Sequence, residues 1–231
     1  MSKIVVSDEY EQLVYEMKNY GLDVLTSDTV KAFHKPEQKH ADMQILPICD
    51  RIFILQECIN LSKKLSNKNL YFCNQKADKL YPYNILLNCL YFGGKLYGKI
   101  NYIDSAVIEY CKMQGIELIN VNQGYTRCST LAVSENSAIT ADTSIAKALR
   151  HNGTDVLQIS PGNIVLKGFD YGFIGGCSGY IGNDTIAFFG NIQAHPDYYS
   201  IKDFILNHNK QIHVFCKDLS LTDIGGIVLI D

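Results

Sequence analysis

The chain has 231 residues, 47% of them apolar and 19% charged, with a formal net charge of −3. That is the composition of a globular protein with room for one sizeable domain or two small ones, and its scattered Lys and Arg exclude a nucleic-acid or anionic-membrane partner held by a broad basic face. No apolar run approaches the roughly 18 residues needed to cross a bilayer, no basic start followed by an apolar stretch marks a secretion signal, and eight cysteines without a CxxC pair read as reduced core thiols of a cytoplasmic protein and not as a zinc site.

In chain order, Lys3 to Val6 is a short apolar strand, and Glu9 to Tyr20 has helical spacing with Leu13, Val14 and Met17 on one face. Gly21 stops that helix and Leu22 to Leu25 reads as a strand. A polar linker through Pro36 leads to His40, Asp42 and Leu46, then to an apolar strand from Ile52 to Leu55 and a helix from Cys58 to Leu65. The order then repeats. Leu70 to Cys73 is a strand, Ile85 to Phe92 turns at Gly93 and Gly94 into Leu96 and Tyr97, and Ser105 to Met113 is a helix stopped by Gly115. Ile116 to Val121 is a strand, followed by a polar turn that delivers Cys128 at the start of a hairpin, Cys128 to Val133 and Ser137 to Thr140. Thr143 to Leu149 is a helix, Asp155 to Ile159 a strand, and a loop through Pro161 reaches the run Gly172 to Gly179. Thr185 to Phe189, a helix from Pro196 to about Leu206, Gln211 to Cys216 and a glycine-paired tail, Gly225 to Ile230, complete the chain.

Side by side, these are five copies of one helix–strand–crossing–hairpin unit. The strand after each helix begins near residues 22, 70, 116, 155 and 211, an average spacing near 47 residues, and a period of that size marks a propeller or solenoid. Three units share a phrase, Gly-x-acid-apolar, at Gly21-Leu22-Asp23-Val24, Gly115-Ile116-Glu117-Leu118 and Gly153-Thr154-Asp155-Val156. The last unit is short, and Lys3 to Val6 would complete it and close a ring.

Two motifs stand at equivalent points of two units. One is His40-Ala41-Asp42 at a strand start. The other is Gly124-Tyr125-Thr126-Arg127-Cys128-Ser129-Thr130, which sets a thiol beside a cation and two hydroxyls. With the fivefold repeat, they resemble the pentein or guanidino-group-modifying superfamily (arginine and agmatine deiminases, dimethylarginine dimethylaminohydrolase, amidinotransferases), whose histidine lies in a His-x-Asp motif two units before its nucleophilic cysteine. The resemblance implies an α/β fold, a five-bladed propeller formed by residues 1–231 as one domain. It also implies a cysteine-dependent hydrolase or amidinotransferase acting through a covalent thiouronium adduct on an arginine-like small molecule in the central channel, with no metal or organic cofactor.

Catalytic roles then fall to Cys128 as a nucleophile of lowered pKa, His40 as general acid and base, and Asp42 as its partner or the grip on substrate nitrogens. Asp42, Gln44, Asn84, Arg127, Cys177 and Asp223 are the substrate-binding candidates, and Asn88 stands with Asn84 at the matching place of the second unit, where either could hydrogen-bond a substrate. The unit after the cysteine, where the family carries an Arg-Asp phrase, reads Phe173 to Gly179 without a carboxylate. The alternative is a catalytically silent pentein that binds a small ligand or, like the translation factor that keeps ribosomal subunits apart, a ribosomal or protein partner. The sequence carries no signal of oligomeric state.

Overall fold

The computed structural model describes residues 2–230. The chain opens with β1 (Lys3–Val6), α1 (Glu11–Asn19) and β2 (Asp23–Thr26); a one-turn helix α2 (Ala41–Gln44) leads into the hairpin β3 (Ile45–Ile48) and β4 (Arg51–Ile54), α3 (Ile59–Lys64) and β5 (Leu70–Phe72). The same passage recurs as β6 (Leu90–Phe92), β7 (Lys95–Gly98), α4 (Ser105–Met113) and β8 (Glu117–Asn120). It recurs again as β9 (Thr130–Ser134), β10 (Ser137–Thr140), α5 (Thr143–His151) and β11 (Asp155–Gln158), and as β12 (Ser178–Tyr180), β13 (Thr185–Asn191), α6 (Tyr198–Asn207) and β14 (Gln211–Ser220), before β15 (Val228–Leu229).

These strands make five three-stranded sheets of one mixed α/β plan. In each, two strands pair antiparallel and a helix then carries the chain to a third strand, parallel to the middle one. The fifth sheet joins the two ends of the chain: β15 pairs antiparallel with β1, Ile4 opposite Leu229, and β1 pairs parallel with β2. The four longer helices lay an apolar stripe inward, Leu13 and Met17 on α1, Val107 and Cys111 on α4, Ile145 and Leu149 on α5, Ile201 and Ile205 on α6. Seven of the eight cysteines are buried and Cys49 is exposed; all eight are free. Among the described residues no helix is long and apolar enough to cross a membrane.

The shared Gly-x-acid phrase has a structural cause. Gly21, Gly115 and Gly153 have φ of +98°, +68° and +83°. Each sits just past a helix end, where its N–H and that of the next residue return to carbonyls of the last turn, as in Gly115 to Lys112 and Ile116 to Cys111. Asn209, φ +57°, does the same after α6, with Lys210 N–H bonded to the Ile205 carbonyl.

Carboxylates, one of them (Asp104) fully buried, fasten one unit to the next. Asp104, at the start of α4, accepts from Asn74 and Gln75 N–H in the loop after β5 and from Ala106 N–H in its own helix. Asp28, after β2, accepts from Asn60 and Leu61 N–H in α3. Asp142 caps α5 and accepts from Gln123 after β8, and Asp197 before α6 accepts from Ser160 N–H after β11.

Two expected strands are otherwise. Ile85 to Cys89 is a turn, and its strand begins only at Leu90; Ile85, Leu87 and Cys89 are apolar because the loop itself is buried. Cys128 lies in a tight turn two residues before β9, where Ser129 N–H bonds the Tyr125 carbonyl and Thr130 N–H the Arg127 carbonyl.

Candidate active site

Every loop that carries the chain from one sheet into the next brings side chains or backbone to one place. His40 and Asp42 come from the N-cap and first turn of α2, in the connection before β3, Asn84 and Asn88 from the loop before β6, and Cys128 from that before β9. Gly172 to Cys177 precede β12, and Asp223 and Gly225 precede β15. Backbone bonds knit the loops together: Asp42 N–H to the Gly225 carbonyl, Ile224 and Gly226 N–H to the Gly176 carbonyl, and Gly176 N–H to the Cys128 carbonyl.

The reactive groups of His40, Asp42 and Cys128 lie within 4.8 Å of one another, and the three residues are 1 to 3% exposed. The Cys128 thiol donates to Asp42 Oδ2 at 2.7 Å and accepts from Asn88 Nδ2 at 3.0 Å. Asn88 also accepts the N–H groups of Arg127 and Cys128 on its Oδ1, at 3.1 and 3.2 Å, so one amide fixes both the turn and the sulfur. His40 Nδ1 stands 3.8 Å from Asp223 Oδ1. Asp223 is itself fixed by Gly225 N–H on Oδ1 and Phe173 N–H on Oδ2. His40 Nε2 and Asp42 Oδ1 are buried with no hydrogen-bond partner.

The glycine run without a carboxylate is explained by this packing. A Cβ on Gly176 would fall 2.1 Å from Asp223 Oδ1 and one on Gly172 2.4 Å from Asp223 Cβ. The run leaves room for a carboxylate supplied from another loop. Gly225, φ +80°, passes so close to His40 that a Cβ there would lie 2.2 Å from the His40 Cα.

The expected lowering of the thiol pKa is overturned. Burial first, then the charges of Asp42 and Asp223 and the bond to Asp42, push the Cys128 thiol well above its ordinary value, against a smaller opposite effect of Asn88. Burial also raises the Asp42 carboxyl, opposed by the positive charge available on His40. Arg127, which was expected to favour the thiolate, is half-buried and lines a cavity of about 220 Å3 formed by residues of the first strands of all five sheets, among them Pro47, Leu90, Ala132, Tyr180 and Leu229. Its own pKa is lowered by burial. At rest the Cys128 sulfur is hydrogen-bonded to the Asp42 carboxyl, and burial favours the thiol over the thiolate.

Other candidates fall differently. Gln44 uses its whole amide inside the protein, donating to the Asp28 and Gln38 carbonyls and accepting from Asp28 N–H and the Cys58 thiol, which leaves nothing for a ligand. Cys177 donates back to the Ile174 carbonyl, and burial with the nearby Asp223 charge raises its pKa. Asn84 donates to the Tyr125 hydroxyl at 2.6 Å and keeps its Oδ1 without a partner. Asn88, expected as a candidate substrate contact, instead clamps the thiol. Sequence reasoning missed Glu37 as a third buried carboxylate and the aromatic row Tyr81, Tyr125, Phe173 and Tyr171, whose rings follow one another at 5.9 to 6.2 Å; no spacing signal marks them. His40, Asp42 and Cys128 also bring together one nitrogen, one oxygen and one sulfur donor that could hold a metal ion.

The model of a family described as a family of unknown function (DUF6873) matches residues 4–228, and the chain belongs to that family. No curated protein matches it in sequence. Among solved structures it is similar to dimethylarginine dimethylaminohydrolase in an adduct with S-methyl-L-thiocitrulline, with 8% identity, a TM-score of 0.62 and 99% of each chain covered. It is similar to the same enzyme from Pseudomonas aeruginosa in complex with citrulline (10%, 0.59, 99% of each chain). A third similar structure is the inosamine-phosphate amidinotransferase of Streptomyces griseus (12%, 0.55, 95% of this chain and 78% of the other). At these identities the likeness is one of fold: the chain has the pentein fold.

Proposed function

We propose that this member of the family is a cysteine-dependent enzyme of the guanidino-group-modifying class, its five sheets closed as an α/β propeller around the cavity that all five line. The observation that carries this reading is the convergence of Cys128, His40 and Asp42 within 4.8 Å, with His40 Nε2 and Asp42 Oδ1 left without partners, on the fold that the similar hydrolase and amidinotransferase share.

The chemistry follows from the charges. A guanidinium or amidinium entering beside Asp42 replaces the thiol as its hydrogen-bond donor and offsets the two negative charges that hold the thiol pKa up. The displaced proton passes to His40, which Asp223 orients. The sulfur then bonds to the central carbon while the C=N electron pair moves to nitrogen. His40 returns its proton to the departing nitrogen, an amine leaves, and a thiouronium-type adduct remains on Cys128. In hydrolysis, water gives a proton to His40 and its oxygen to the carbon, and the thiol is regenerated as the ureido product leaves. In amidino transfer an amine takes the place of water. Loss of His40 is expected to cost on the order of a hundredfold or more.

The test is paired alkylation of the native protein at neutral pH with 2-chloroacetamidine and its neutral isostere 2-chloroacetamide, mapped by peptide mass. Cys128 is expected to react with the amidine faster than the seven other cysteines, and His40→Ala to slow it. Exposed Cys49 supplies the background rate. A Cys128 no faster than Cys49 with either reagent would remove the nucleophile from the proposal and leave a binding protein.

A further inference from the structure

We infer that the cavity lined by the first strands of the five sheets is a second binding site, which takes a small carboxylate with a short apolar body on the Arg127 guanidinium and slows Cys128 from behind. The cavity holds about 220 Å3, and Arg127 is the one charged residue among those that line it. Its guanidinium makes no hydrogen bond and no ion pair with any described residue. The other two arginines are engaged. Arg51 stacks on the Tyr71 and Tyr110 rings at 4.1 and 4.3 Å, and Arg150 donates to Gln158 Oε1 and the Val156 carbonyl. The Arg127 nitrogens stay accessible, whereas Arg51 Nε is sealed.

A guanidinium keeps its charge in proteins, and a charge drawn out of water without a partner opposes folding. Nothing in the cavity wall offsets that cost. No carboxylate lines it, and the hydroxyls of Thr130 and Ser178 donate to the Thr126 and Ile174 carbonyls. Leu90, Ala132, Ile227 and Leu229 make the wall largely apolar. The two oxygens of a carboxylate match the flat fork of the guanidinium, and a short apolar body matches the wall. The cavity also backs onto the reacting groups, with Gly175 and Gly226 as the partition. A Cβ on Gly175 would fall 2.4 Å from the Arg127 carbonyl oxygen and 2.7 Å from that of Cys128, and one on Gly226 3.6 Å from Asp42 Oδ2. After burial, the charges that act on Arg127 are those of Asp42, Cys128 and Cys89. A carboxylate on Arg127 therefore cancels a positive charge behind Asp42 and Cys128 and favours their protonated forms. Standing across the partition from the thiol, it acts as an inhibitor distinct from the substrate.

The probes are butyrate and benzoate at neutral pH and constant ionic strength, each compared with its neutral amide and with chloride. The carboxylates are expected to raise the melting temperature of the full chain, while the amides and chloride leave it unchanged. They are also expected to slow alkylation of Cys128 by 2-chloroacetamide roughly three- to tenfold, which corresponds to half a unit to one unit in thiol pKa. Arg127→Met keeps the stem and removes the charge, and both effects should vanish in it. No carboxylate-specific rise in the wild-type protein, or an equal rise in Arg127→Met, would overturn the inference. Should Arg127→Met lose its thermal transition, Arg127→Lys carries the test. It keeps the charge and loses the fork, so the carboxylates should bind at least several-fold more weakly, and an unchanged affinity overturns the inference. Binding through Arg127 with an unmoved Cys128 rate would overturn the inhibitory effect. The melting arm makes no use of the nucleophile, so its failure leaves the proposed function standing, and a Cys128 without amidine preference leaves the carboxylate site standing.

Discussion

The Cys128 thiol and the Asp42 carboxyl share one hydrogen bond of 2.7 Å, and burial drives both towards their protonated forms. Asp42→Asn separates the two causes. The amide keeps an acceptor for the thiol but removes a negative charge, so the thiol pKa should come down. The pH profile of Cys128 alkylation by 2-chloroacetamide is expected to move down by about one unit or more; an unmoved profile would assign the whole shift to burial. The same variant has a sign in stability. Asp42 has a higher pKa folded than unfolded, so above the unfolded value of 3.8 the native state binds more protons, and stability falls as pH rises through the folded pKa. Asn does not titrate. Asp42→Asn is therefore expected to melt above the wild-type protein at pH 7, with the difference closing towards pH 4; a lower melting temperature at pH 7 would show that the carboxylate is a net stabiliser. Of this residue-scale detail, His40, Asp42 and Cys128 were legible because a short motif and a two-unit spacing mark them. Asn88 was legible only by its place in the second unit and not in its role, and Glu37 not at all, since both depend on which side chains a folded loop brings beside the sulfur and the histidine.

Helix ends show how far elements were legible. Gly-x-acid after three helices announced the left-handed stop, whereas Asn209 performs the same turn without the glycine, so that unit's phrase was invisible. The strand expected from Ile85 failed because a buried loop is as apolar as a strand. Two glycines separate conformational cost from packing cost. At Gly153 an added Cβ meets nothing within 4 Å, so Gly153→Ala should cost only the left-handed penalty, about 1–2 kcal/mol. At Gly225 the same atom would strike the His40 backbone, so Gly225→Ala should cost more, roughly 2 kcal/mol beyond that, and should abolish fast amidine labelling of Cys128. Urea titration and peptide mapping measure the two effects, and equal costs with labelling intact would contradict the packing argument.

At the scale of the molecule, five sheets of one plan were legible from the period of about 47 residues, since each helix–strand step repeats the same apolar stripes. What the period does not carry is how units adhere, because the fastening carboxylates lie at different places in their units: Asp28 follows a third strand, while Asp104, Asp142 and Asp197 precede helices. Asp104 makes the strongest case. It is fully buried, and it satisfies Asn74 and Gln75 N–H across the junction and Ala106 N–H in α4, while Ser105 and Asn74 or Gln75 exchange two more bonds beside it. Asp104→Ala leaves three N–H groups without their acceptor, a cost of about 2–4 kcal/mol. If the five units unfold as one body, that cost appears as a shift of a single urea transition with an unchanged slope. If the junction is the weak point, the transition splits, and hydrogen exchange first opens the loop after β5 and the first turn of α4. Since Asn84 and Asn88 lie in that same loop, a split transition would also carry away the clamp on Cys128, and amidine labelling would fall with the first transition and not with the second.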